Sequence, residues 1–166
     1  MRLDRDRARL VSIELTRARA RVAVADPTGA VLWSDAVDIA APPDLALATR
    51  WALARASSAL EPSTRVVGAA IGLPVPTPAG HNEADRRAAA EMRALIVDAL
   101  GVDPMIENNV RLAALSEARW GAGRGYRDVA YLRLDAGVGG ALVLDGRLRR
   151  GRRSGGEFGH ICVDVA

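Results

Sequence analysis

The sequence predicts an α/β fold made of one full lobe and the opening of a second. Three observations carry this. Short apolar strands in a meander open the chain, strands then alternate with helices, and the last stretch is strand-rich without a closing helix. The 166 residues, 49% of them hydrophobic, suffice for one ordinary core or for a complete lobe plus a fragment of another.

Residues 1–9 alternate arginine with aspartate and small residues and read as a solvated lead-in. Leu10 to Leu15 and Ala20 to Ala25 have strand character, Asp26-Pro27-Thr28-Gly29 is a turn, and Ala30 to Ile39 is a third strand. Asp44 is placed to cap a helix that runs to about Leu60, where Glu61-Pro62-Ser63 stops it. Arg65 to Leu73 is apolar without a break, which predicts a central strand with helices on its faces. A loop with Pro74, Pro76, Pro78 and Gly80 leads to a helix from about Asn82 to Leu100. Met105 to Glu107 is a short strand running into Asn108-Asn109 and a mostly apolar helix. Trp120-Gly121-Ala122-Gly123-Arg124-Gly125 reads as a connector with Trp120 as a packing anchor, so residues 10–119 form the N-terminal lobe and residues 120–166 the incomplete start of the second. There Val129 to Leu134 and Val138 to Leu144 are strands, and Asp145-Gly146 is a hairpin turn before Arg147-Leu148. Arg149 to Gly156 is a basic, glycine-rich loop, and Glu157 to Val165 is the last element.

Composition removes several functions. All 23 basic residues are arginine, so neither a Walker-type phosphate loop nor a Schiff base is available. The net charge of +3 comes from scattered arginines, which solvated side chains account for. The single Cys162 excludes an intramolecular disulfide, and no apolar run reaches the roughly 18 residues of a membrane span. A cytoplasmic protein without membrane contact is expected.

Three constellations could carry chemistry. At Asn108-Asn109 a strand enters a helix, the corner at which α/β sheets bind ligands; one asparagine serves as the helix cap, and the other either completes the turn or faces a ligand. Asp135-Ala136-Gly137-Val138-Gly139-Gly140 lies between two strands, where Gly137 and Gly139 either let backbone N–H groups approach a phosphate or form a tight turn. Glu157 and His160 offer a carboxylate and an imidazole to one polar ligand, or form surface polar structure. His160 and Cys162 are the one close pair of metal-ligand types, two short of a structural zinc site.

In order, Gly72-Leu73-Pro74-Val75-Pro76, Glu107-Asn108-Asn109-Val110, the leucine-rich helix, Gly121-Ala122-Gly123-Arg124-Gly125-Tyr126, Tyr131-Leu132-Arg133-Leu134, Gly137-Val138-Gly139-Gly140, Asp145-Gly146-Arg147 and Gly156-Glu157-Phe158-Gly159-His160 resemble the ROK family of sugar kinases and sugar-responsive repressors. The resemblance covers nearly the whole chain and is most specific from Met105 onward. It implies a two-lobed actin- and hexokinase-like (ribonuclease H-like) fold, with sugar between the lobes and, in the kinases, ATP beside it. By the same resemblance Asn108, Asn109, Glu157 and His160 are the sugar contacts, and Gly137 and Gly139 belong to a phosphate loop. His160 would ligate zinc only with a downstream cysteine cluster that this chain does not include.

The departures from the family pattern shape the functional expectation. The kinases carry aspartate, the general base, where this chain has Asn109, and an amide cannot take the hydroxyl proton at neutral pH. The first phosphate loop aligns with Glu14-Leu15-Thr16-Arg17-Ala18-Arg19, which has no glycine, and Ala136 stands where the second loop has threonine; both speak against ATP. The resulting expectation is a non-catalytic sugar-sensing portion of a ROK-type transcriptional regulator. It would bind a sugar or sugar phosphate, take no cofactor in this chain, contact DNA only through an upstream domain, and self-associate through exposed strand edges. A glucokinase-like sugar kinase is the enzymatic alternative, and a truncated remnant that binds nothing is the third. The sequence is expected to be part of a longer reading frame.

Overall fold

A computed structural model describes residues 7–40, 43–74, 83–134, 137–151 and Phe158. Among the described residues, eight strands and three helices follow in the order β1 (Ala8–Leu15), β2 (Arg19–Ala25), β3 (Val31–Asp38), α1 (Leu45–Ala59), β4 (Arg65–Leu73), α2 (Glu83–Leu100), β5 (Met105–Asn108), α3 (Asn109–Trp120), β6 (Val129–Leu134), β7 (Val138–Leu144) and β8 (Arg147–Arg149). They form two compact units, Met1–Glu107 and Asn108–Ala166. The division falls at the strand–helix corner rather than at Trp120, where the sequence places it. Helix α3 goes with the later strands because it packs on β6 and β7.

The first unit carries a mixed sheet in the order β3-β2-β1-β4-β5. β1, β2 and β3 are an antiparallel meander, and β4 adds parallel to β1 after the α1 crossover. The first strand starts two residues inside the predicted lead-in, because Ala8 and Arg9 pair with Arg65 and Val66. The β2–β3 turn is held by Asp26, whose Oδ1 accepts from the Thr28 amide at 2.8 Å, the Thr28 hydroxyl at 2.6 Å and the Ala30 amide at 3.1 Å. Gly29 supplies the left-handed residue that the reversal needs (φ 92°).

Alternation in the strands builds the core. Val11, Ile13 and Leu15 of β1, Ala20, Val22 and Val24 of β2, and Ile71 and Leu73 of β4 are buried with Ala52, Leu53 and Ala56 of α1 and Met92 and Ile96 of α2. Asp44 caps α1 as the sequence predicts, its Oδ1 accepting from the Leu47 amide at 2.9 Å. Where α1 meets α2, Thr49 is fully buried, donating to the Leu45 carbonyl at 2.8 Å with its hydroxyl 2.9 Å from Met92 Sδ. β4 is interior to the sheet, but only its last turn of chain is fully covered; Val67 remains part-exposed, so the strand is not buried on both faces along its length.

The second unit is smaller. β6, β7 and β8 form an antiparallel sheet in that order, and α3 covers one face through Ala114 and Ala118 against Val129, Tyr131, Ala141, Val143 and Leu148. On the opposite side Leu132, Leu134 and Val138 are exposed. Trp120 is 72% exposed and therefore no packing anchor; it ends α3 beside the capping Gly121. Gly123 sits where an added Cβ would be 2.9 Å from Val129 Cγ2, so this turn needs glycine for close packing.

Two measurements test this account of the first unit. Met92→Ala removes a fully buried side chain and should lower unfolding free energy by about 2–5 kcal/mol, whereas Leu47→Ala, at an exposed site on α1, should stay within about 0.5 kcal/mol in urea titrations. The Arg55 guanidinium, 2.6 Å from Asp35 and over the Trp33 ring, holds the Asp35 carboxyl below its ordinary value of about 3.9, helped by the Ala36 amide. A depressed carboxyl stabilises the fold above its unfolded value and loses that contribution as pH falls through the lower folded value. Asp35→Asn should therefore melt earlier than the parent at pH 7, and the two curves should draw together as pH falls from about 4 through the lowered folded value.

Candidate functional site

The corner between β5 and α3 follows from its two asparagines. Asn108 stands in extended geometry (φ −63°, ψ 136°), and its Oδ1 accepts from the amides of Val110 at 2.9 Å and Arg111 at 3.2 Å. It is the cap, and it answers two of the N–H groups that a helix start leaves open. Asn109 is the first helical residue and only 9% exposed. The sequence leaves open which asparagine caps; the geometry gives that role to Asn108 and buries its neighbour. Both cap contacts fall on the side-chain oxygen of Asn108 and occupy it.

Two charged side chains flank this pair. Glu107 at the end of β5 is 1% exposed and Arg111 in the first turn of α3 is 4% exposed. Arg111 Nη2 donates to the Arg150 carbonyl at 3.4 Å. Sequence reasoning passed over both. The signal for Arg111 was present, since it lies three and seven residues before Ala114 and Ala118 and so shares the stripe that α3 turns to its sheet.

The glycines at the start of β7 have separate surroundings. Gly137 precedes the strand with nothing within 4 Å of an added Cβ. At Gly139 that Cβ would be 3.1 Å from Val110 Cγ2, and at Gly140 it would be 2.1 Å from Phe158 Cδ2. The absence of a side chain at Gly139 and Gly140 thus already serves packing against α3 and Phe158. Asp135, Ala136, Glu157, His160 and Cys162 lie outside the described residues, as does Asn82 at the predicted helix start. Among the described residues no cluster of three metal-ligating side chains occurs.

The segment expected at the first phosphate loop is the tight turn between β1 and β2. The Thr16 amide donates to the Arg19 carbonyl at 2.8 Å, and the Thr16 hydroxyl oxygen accepts from the amides of Arg19 at 2.9 Å and Ala18 at 3.3 Å. Its N–H groups at 16, 18 and 19 are therefore engaged within the turn.

The cap makes a specific prediction. Asn108→Ala should cost about 1 kcal/mol of stability and raise hydrogen exchange in the first turn of α3, whereas Asn108→Asp, which keeps an acceptor at the cap, should change stability by a few tenths of that. Urea denaturation of both variants checks it.

Comparison with known proteins now bears on this geometry. A glucokinase from Streptomyces coelicolor is 38% identical over 63 residues, which are 37% of this chain and 20% of that protein. Among solved structures, a ROK family glucokinase from Streptomyces griseus in complex with glucose and AMPPNP superposes with a TM-score of 0.71 at 26% identity, over 94% of this chain and 51% of that one. A ROK family transcriptional regulator, a homologue of the E. coli MLC protein, shares the fold with a TM-score of 0.71 at 23% identity, over 97% of this chain and 43% of that one. The chain thus spans about half the length of these structures or less, and their common fold is the actin- and hexokinase-like one. The model of the ROK family matches residues 11–166, and the chain belongs to that family.

Proposed function

We propose that this chain is the sugar-recognition portion of a ROK-type regulator and does not transfer phosphate. One observation carries the reading: an amide, Asn109, occupies the first helical position behind the cap, where the family's kinases would need a base. Its carbonyl oxygen and NH₂ can hydrogen-bond a sugar hydroxyl but cannot take its proton. General-base catalysis contributes on the order of 10² to 10⁴ in rate, so its loss alone leaves little turnover. The β1–β2 turn supports the same reading, because the N–H groups of Thr16, Ala18 and Arg19 are bonded within the turn.

In this reading Asn108 and Asn109 contact the sugar from the start of α3, and Glu157 and His160 supply the remaining hydrogen bonds. Gly137 and Gly139 are the candidates for phosphate contact if a sugar phosphate is the ligand. His160 becomes a zinc ligand only where cysteines from outside this sequence complete the set. DNA contact belongs to a domain other than this one. The kinase alternative is favoured by the sequence relatives, among them a glucokinase at 38% identity over 63 residues, whereas the regulator likeness rests on fold alone.

A coupled assay with glucose and ATP separates the two. The chain is expected to show no turnover above background; turnover that Asn109→Ala abolishes would establish the kinase instead. Calorimetry should show glucose binding in the millimolar range or weaker, as a few neutral hydrogen bonds of about 0.5–1.5 kcal/mol each allow. Micromolar binding lost on His160→Ala would contradict that estimate.

A further inference from the structure

Glu107, Asn109 and Arg111 alternate through the strand–helix corner, and all three are buried. Among the described residues Arg111 is the one buried arginine. A guanidinium does not lose its charge in proteins, so burial obliges its N–H groups to find acceptors. The Arg150 carbonyl, at 3.4 Å, is one of them, and it lies immediately after β8 and thirty-nine residues along the chain. The backbone of the same arginine donates to Asn108 Oδ1 at 3.2 Å. Arg111 is therefore joined to the cap by its main chain and to the end of β8 by its side chain. Few other contacts join these two elements, since α3 meets the sheet mainly through β7 and β6.

We infer that Arg111 is a positioning residue for the Asn108–Asn109 site, its buried guanidinium fastening the end of β8 to the first turn of α3. The fastening stands on the geometry, and its use in sugar recognition rests on the function proposed above. The strand end it holds, Arg149-Arg150-Gly151, is where the chain leaves the sheet toward Glu157 and His160 in sequence. Lysine at this position would keep the charge but lose the planar fork that reaches more than one acceptor, and methionine would keep the volume without any donor.

Amide hydrogen exchange and glucose titration of the full chain, R111M and R111K test the inference. In R111M, exchange at Arg150, Gly151 and the first turn of α3 should rise about ten-fold or more, as expected for losing a charge-assisted hydrogen bond, while β1, β2 and β4 stay unchanged. R111K should show a smaller rise at the same amides and recover part of any glucose affinity lost in R111M. A folded R111M with unchanged exchange at Arg150 and Gly151 overturns the fastening. Should R111M fail to fold, R111K decides by the same amides: a local rise supports the inference and its absence overturns it. If the parent binds glucose and folded R111M binds it equally well, the positioning role is overturned while the proposed function stands. If the parent shows no glucose binding up to molar concentration, glucose is not the ligand of the proposed site, and the exchange data alone decide the fastening.

Discussion

Two hydrogen bonds, from the amides of Val110 and Arg111 to the side chain of Asn108, fix where strand β5 ends and helix α3 begins. Much of the second unit follows from that point. With α3 started there, its Arg111, Ala114 and Ala118 stripe turns toward the sheet, and Ala114 and Ala118 lie on the face of β6, β7 and β8. The same start puts Asn109 in the first turn, where it is buried instead of solvated. A capping residue is worth only about 1 kcal/mol, but here it also sets the phase of everything that α3 packs against.

The two units solve burial differently. In the first, a five-stranded sheet and two helices share one core in which nearly every alternate residue is apolar. In the second, among the described residues, three strands and one helix enclose the apolar side chains of Ala114, Ala141 and Val143, and Leu132, Leu134 and Val138 are exposed. Small sheets are marginal in water on their own, so the core of the second unit depends on the packing of α3. Beyond the buried Thr49, Glu107, Asn109 and Arg111, ion pairs join the elements at the surface. The Asp35–Arg55 pair ties β3 to α1 at the surface, and the charged pair of Arg93 with Asp103 links α2 to the loop before β5.

Local signals made most elements legible. The Asp44 cap, the Asp26–Gly29 turn and the Asp145-Gly146 hairpin act over a few residues, and each stands where the sequence puts it. Features set by distant contacts were not legible. The lobe boundary depends on which strands α3 packs against, and Trp120 lacks a partner that spacing could reveal. Gly139 and Gly140 resemble a phosphate loop in sequence, yet Val110 and Phe158 lie where their side chains would be. The strand-to-helix transition at Asn108 and Asn109 is legible from the sequence, and the cap stands there. Arg111 was missed because an arginine in a helix reads as solvated unless its stripe is traced.

Recognition without phosphoryl transfer is the central claim, and side-chain amide resonances test it most directly. In a ¹⁵N-labelled chain titrated with glucose in the presence and absence of ATP, the account predicts saturable shifts of the Asn108 and Asn109 NH₂ signals that ATP does not alter, with no glucose phosphate formed. Glucose-independent NH₂ signals at both asparagines, or the appearance of a phosphorylated sugar, would contradict it.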